Sequence, residues 1–168
     1  MATHLPTLKY ADIFYGLRTE HLERISAVCS ELAPEQDTVL FEENSPGGEM
    51  YIVARGSVEI QVDPAMLGLD TDTGPTTIAT LRKGQVFGEV TLVDQGLRSA
   101  SAKIATGNTL LLVLKRDDLI SLCEQDFELG YLVMRNIAAD LAFKIRGADL
   151  MVREQLLLRP AESHEQAC

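Results

Sequence analysis

The segment Phe87-Gly88-Glu89-Val90-Thr91-Leu92-Val93-Asp94-Gln95-Gly96-Leu97-Arg98-Ser99-Ala100 decides how this chain is read. A strand ends at Gly88, a short apolar turn of helix follows, a turn around Gly96 reverses the chain, and Arg98-Ser99 opens the next strand. Such a loop suits an anion. Gly88 permits close backbone approach, and amides at the start of the Val90 turn are free to donate. The Arg98 guanidinium is a forked, permanently charged partner for a phosphate, with the Ser99 hydroxyl beside it. Glu89 is the odd member, because a carboxylate repels phosphate. It makes sense if the ligand also carries a hydroxyl that donates to it, as a ribose does.

Around this loop the pattern is one of short strands and turns, from Thr38 to Leu114. Thr38–Phe41 precedes the dense turn signal Asn44-Ser45-Pro46-Gly47-Gly48. Met50–Ala54 leads through Arg55-Gly56 into Ser57–Val62, where Val58, Ile60 and Val62 alternate with polar residues. Ile78–Leu81, Ser101–Ala105 and Thr109–Leu114 supply further strands, and the polar stretch Asp63–Thr77 reads as a loop. Short strands at this spacing predict an antiparallel sandwich or barrel.

Helical spacing flanks the strands. Leu5 to Ser30 is apolar at helical intervals but interrupted at Tyr15-Gly16, with Thr19 as a candidate N-cap. Asp117 is placed to cap a short helix and Asp126 a long one. Leu129, Val133, Ile137, Leu141, Ile145, Ala148 and Val152 form an apolar stripe along the second. The expected organisation is α+β in one domain over 1–160. Helices occupy 5–30, a β barrel 31–115 and C-terminal helices 117–158, with 161–168 a flexible tail.

Composition narrows the function classes. With 168 residues the chain can bury a core without disulfides or metal. Hydrophobic residues at 46% and charged residues at 24% exclude a disordered acidic chain. Fifteen Lys or Arg against 25 Asp or Glu leave a net charge of −10, which opposes DNA phosphates. No apolar run approaches the ~18 residues of a membrane span, and Met1–Lys9 has no leader pattern. Cys29, Cys123 and Cys168 are too far apart for a disulfide framework or a zinc set, so the expected compartment is the reducing cytoplasm.

The cassette resembles the phosphate-binding segment of the cyclic nucleotide-binding domain family, which occurs in bacterial activator proteins, kinase regulatory subunits and gated channels. Phe87, Gly88, Glu89, Leu92, Arg98, Ser99 and Ala100 match its pattern. The resemblance runs from about Ile13 to about Leu150. It implies a jelly-roll barrel of about eight strands, N-terminal helices and a long C-terminal helix. It also implies Arg98 and Ser99 on a cyclic phosphate, help from the Gly88 amide, and Glu89 on the ribose 2′-hydroxyl. Phe87, Val90 and Ala100 complete the implied ligand-binding set. Three positions depart from the pattern. Asn44 stands for Gly in the early turn, Thr91 replaces the usual Ala or Gly in the cassette helix, and Leu97 stands where kinase members often have Pro.

The function this implies is a sensor of cyclic AMP, or of cyclic GMP, signalling by movement of its C-terminal helix. No other cofactor, metal or catalytic residue is expected. The alternative is a degenerate dimerisation or protein-interaction module in which Glu89 and Arg98 simply pair. Asp70-Thr71-Asp72-Thr73-Gly74 hints at a calcium loop, but the twelfth position holds Leu81 where Glu is needed. Cys29 and Cys123 read as small core residues, and His4, His21 and His164 as surface histidines. The ten residues after Leu158 are too few for a helix-turn-helix, so no DNA partner is expected. Base contacts are expected around Phe143–Gly147. The apolar stripe beyond Leu141 predicts a homodimer or an unidentified protein partner.

Overall fold

The computed structural model describes residues 4–64 and 74–158. It opens with α1 (Leu5–Tyr10), a 3-10 turn (Asp12–Phe14) and α2 (Thr19–Val28). The strands follow: β1 (Ser30–Leu32), β2 (Val39–Phe41), β3 (Glu49–Arg55), β4 (Ser57–Val62), β5 (Thr76–Arg82) and β6 (Val86–Phe87). The short α3 (Val90–Asp94) then precedes β7 (Ser101–Ile104) and β8 (Leu110–Lys115), and α4 (Arg116–Gln125) and α5 (Phe127–Leu158) close the fold. The strands form two antiparallel sheets of four, in the orders β1-β8-β3-β6 and β2-β7-β4-β5. This is the expected jelly-roll arrangement, with eight strands among the described residues and the helices packed together on one side.

The centre of the fold is the β3–β8 pair, which runs in register from Glu49 opposite Lys115 to Val53 opposite Leu111. Met50-Tyr51-Ile52-Val53 is apolar without alternation, as a strand covered on both faces should be. Met50 and Ile52, with Leu112 and Leu114, join a core that faces the helices. Tyr51 and Val53, with Leu111, face the barrel interior alongside Val58, Phe87, Ala102 and Ile104. Leu129, Val133 and Ile137 of α5 recur at intervals of four and are all buried on the helical side. Beyond them the stripe emerges: Leu141 is partly buried, while Ile145 and Val152 are exposed.

Polar contacts fix where α5 starts and how it lies. Asp126 Oδ1 accepts the Leu129 N–H at 3.1 Å, the cap expected at this position. Its other carboxylate oxygen takes Arg24 Nη1 of α2 at 2.9 Å. Buried Asn136 donates from Nδ2 to the Ile13 and Tyr15 carbonyls at 3.1 and 2.8 Å, tying α5 to the Asp12–Phe14 turn.

Several expectations need correction. The N-terminal helices do not extend to 30, because residues 11–18 hold only the short turn and Ser30 already pairs with Val113 in β1. The barrel therefore starts at 30 rather than 31, and the C-terminal helices at Arg116 rather than 117. Arg18, not Thr19, is the N-cap of α2, and Lys115, not Asp117, that of α4; neither makes a side-chain cap bond. Asp117 instead sits in the first turn, where its charge opposes the helix dipole. His21 is not a surface histidine. It is buried, with Nε2 3.0 Å from Arg18 Nη2 and 3.4 Å from Asp126 Oδ2. Cys29 and Cys123 are half-buried against the helical core, and burial pushes the Cys29 thiol up to about 12. Residues 70–73 of the considered calcium loop, and His164, Cys168 and the expected tail, lie outside the described residues.

Candidate functional site

Two turns bring the cassette together. Asn44 to Gly48 lies against the Leu97–Arg98 segment: the Asn44 N–H donates to Arg98 O at 2.8 Å, and the Arg98 N–H to Ser45 O at 2.9 Å. Asn44 adopts φ +63°, the left-handed conformation that Asn tolerates and that suits its place in the turn. In the cassette turn that leads to Arg98 the left-handed residue is Gln95, at φ +56°, rather than Gly96.

Arg98 is 3% exposed. Its Nη1 donates to Glu49 O at 2.9 Å, Gly88 O at 3.2 Å and Thr91 Oγ1 at 3.2 Å. The guanidinium stacks over Phe41 at 4.1 Å from the ring centre, with Tyr51 at 5.9 Å. Nη2 has the Glu49 carboxylate at 3.5 Å, and the buried Nε has no hydrogen-bond partner. The Nη1 corner is thus committed to the protein, while the Nε–Nη2 edge keeps donors for an anion. Burial pulls the Arg98 pKa below the ordinary arginine value, against Tyr51, Glu49 and Glu89, which raise it. Arginine keeps its charge in such surroundings.

Glycine is required twice here. Gly88 has φ +77°, and a Cβ on it would lie 2.5 Å from Arg98 Nη1 and 3.0 Å from Glu49 O. A Cβ on Gly47 would overlap Arg98 Nε. Both glycines let the backbone close around the guanidinium.

Glu89 is also buried, and it does not pair with Arg98. Its Oε1 lies 2.8 Å from Lys144 Nζ of α5, and the same ammonium reaches Asp140 Oδ2 at 2.7 Å. Burial pulls the Lys144 pKa down, but Glu89 and Asp140 outweigh it and leave the ammonium above the ordinary lysine value. One cassette therefore holds a cation and an anion, both buried and each neutralised by a different element.

The other residues of the expected ligand-binding set lie along the same cassette. Phe87 is buried, its ring stacked on Tyr51 at 5.1 Å and near Phe41 at 6.0 Å, so it anchors β6 in the barrel core. Val90 and Ala100 are half-buried and Ser99 is exposed beside Arg98. Sequence reasoning missed Glu49 and Lys144, and noted Thr91 only as a departure from the family pattern. Lys144 lies within the 143–147 stretch expected to face the ligand; that stretch holds two cations, Lys144 and Arg146, and the available signal was Asp140 four positions before the first. Among the described residues no cluster of His, Cys, Asp and Glu could hold a metal ion. Among them, too, no helix is long and apolar enough to cross a membrane.

Residues 33–126 match the family described as cyclic nucleotide-binding domain. The chain is 34% identical over 145 residues to the cyclic AMP receptor protein of Thermus thermophilus, covering 85% of this chain and 61% of that protein. Among solved structures, Thermus thermophilus catabolite activator protein superposes with a TM-score of 0.71 at 32% identity, covering 86% of this chain and 63% of that one. A cyclic nucleotide-binding domain from Methylobacillus flagellatus KT superposes at 0.75, covering 92% of this chain and 87% of that one; at 23% identity it speaks for the fold alone. The chain spans less than two thirds of the length of that receptor protein.

Proposed function

The chain belongs to the cyclic nucleotide-binding domain family, and from that premise we propose that it is a cyclic nucleotide sensor whose output is movement of α5. The observation that carries this is the pair of buried, opposite, mutually unpaired charges on one cassette, Arg98 and Glu89. A cyclic nucleotide presents the matching pair: an anionic phosphate for the Nε–Nη2 edge of Arg98, and a ribose hydroxyl for Glu89. Ser99 supplies a second donor to the phosphate, and the Gly88 backbone approaches it closely. Phe87, Val90 and Ala100 shape the wall.

Lys144 gives the reading its output. A ribose hydroxyl donating to Glu89 competes with the Lys144 ammonium for the same carboxylate, so ligand and helix are coupled at one atom group. The preferred ligand is cyclic AMP: in the family, cyclic GMP selectivity often goes with Thr after the cassette Arg, through its hydroxyl, and position 99 here is Ser, which carries a hydroxyl as well. The partner is a second copy packed along the exposed apolar part of α5, where Ile145, Met151, Val152 and Leu157 lie uncovered. The role is regulatory, without catalysis, and cytoplasmic; neither DNA nor membrane is a partner of this domain.

The test is a thermal melt with cyclic AMP and cyclic GMP. Ligand at a hundredfold excess over its dissociation constant stabilises by ~2.7 kcal/mol, a readily measured shift. No shift with either nucleotide at millimolar concentration overturns the reading, and a tenfold preference for cyclic GMP overturns the choice of base.

A further inference from the structure

Thr91 is almost fully buried in α3, one turn from Gly88. Its hydroxyl has one proton, and that proton is committed: Oγ1 donates to Gly88 O at 3.1 Å. Only lone pairs remain to face the site, and Arg98 Nη1 donates to them at 3.2 Å. The direction of the Thr91–Arg98 bond is therefore fixed. A β-branched side chain in a helix has few rotamers, and burial removes the alternative of turning to water. The hydroxyl completes a frame of three oxygens around Nη1, the other two being the Glu49 and Gly88 carbonyls. With that corner held, rotation about the Nε–Cζ bond is blocked. An alanine or glycine at this position would leave two main-chain acceptors and a looser guanidinium.

We propose that Thr91 is a positioning residue for Arg98, fixing the Nη1 corner so that the Nε–Nη2 edge is presented to the phosphate of the ligand. The proposal rests on the cyclic-nucleotide reading for the identity of the anion, but its first test needs no ligand. Side-chain nitrogen–proton NMR of the free protein should show separate Nη–H signals for Arg98, assigned by their loss in Arg98→Lys. Thr91→Val and Thr91→Ala should merge them into an exchange-averaged signal, and Thr91→Ser should keep them. Two variants are used because Val retains the volume while Ala avoids a methyl pressed against Gly88 O. Retention of separate signals in either folded variant overturns the proposal.

The second arm is calorimetric titration with cyclic AMP. Losing one such bond should weaken binding about three- to tenfold in Thr91→Val, with Thr91→Ser staying close to wild type. In an Arg98→Lys background the same Thr91→Val change should add less than roughly twofold, since the two residues act as one unit. Additive losses overturn the positioning role. If wild type binds no cyclic nucleotide while the NMR pattern behaves as expected, the ligand reading fails and the positioning of Arg98 stands.

Discussion

Lys144 holds the buried carboxylate of Glu89 at 2.8 Å across 55 positions of sequence, joining the last helix to the cassette by one ion pair. Lys144→Met keeps the aliphatic stem and strands the carboxylate. The ammonium is partly solvated but Glu89 is buried, so the carboxylate left without its cation should cost ~1–3 kcal/mol, roughly 2–10 °C in melting temperature. Hydrogen exchange in 140–158 should quicken in the free protein. Unchanged exchange there would show that the pair does not hold the helix.

Arg98→Ala should do two separable things. It leaves the Glu49 and Gly88 carbonyls and the Thr91 hydroxyl without their donor, costing ~1–3 kcal/mol of stability. It also removes the charge for the phosphate, so affinity for cyclic nucleotide should fall about ten- to over a hundredfold. Denaturant melts and titrations on the same samples separate the two. Binding at wild-type strength by a folded variant would remove Arg98 from the site.

Acid should loosen the α4–α5 junction before the barrel. The Leu129 N–H holds the Asp126 pKa below 3.8, against a smaller opposing effect of burial, with His21, Arg24 and Arg18 adding to the depression. A depressed carboxylate stabilises the fold fully above its unfolded value and loses that contribution as pH falls through the folded one. Asp126→Asn keeps a cap acceptor but not the charge. Its stability should therefore depend less steeply on pH below 4 than that of wild type. Parallel acid limbs in the two proteins would contradict this account.

Truncation after Gly147 removes the exposed Leu150, Met151 and Val152 while leaving Lys144 in place. Sedentary monomers are not expected of the full chain: its solution mass should be that of a dimer, and the truncated form should be monomeric yet still bind nucleotide. A full chain that stays monomeric at concentrations far above cellular ones removes the second copy as partner.

How far the sequence could be read follows from the range of each contact. The cassette was legible because Gly88, Glu89, Arg98 and Ser99 sit within one loop, where spacing alone carries the chemistry. Glu49 and Lys144 reach the same site from 49 and 55 positions away, so only the fold joins them to it. The long α5 was evident from its stripe, and so was the point where that stripe leaves the core. β1 was not, because Ser30-Glu31-Leu32 is short, exposed and attached to a helical pattern. His21 was misread for want of metal spacing, although with Ile25 and Val28 it follows the buried phase of α2.

The two-faced burial of β3 has a consequence for how this domain can drift. Neighbouring codons serve different compartments: Met50 and Ile52 report to the helices, Tyr51 and Val53 to the barrel interior with Phe87, where the Tyr51 ring also lies near Arg98. A saturation scan of the strand, scored for folding and for nucleotide affinity, should alternate with period two. Losses at 50 and 52 should fall mainly on helix docking and stability, and those at 51 and 53 more heavily on affinity. A lineage could then retune its ligand through one set of positions while leaving the helical output untouched through the other.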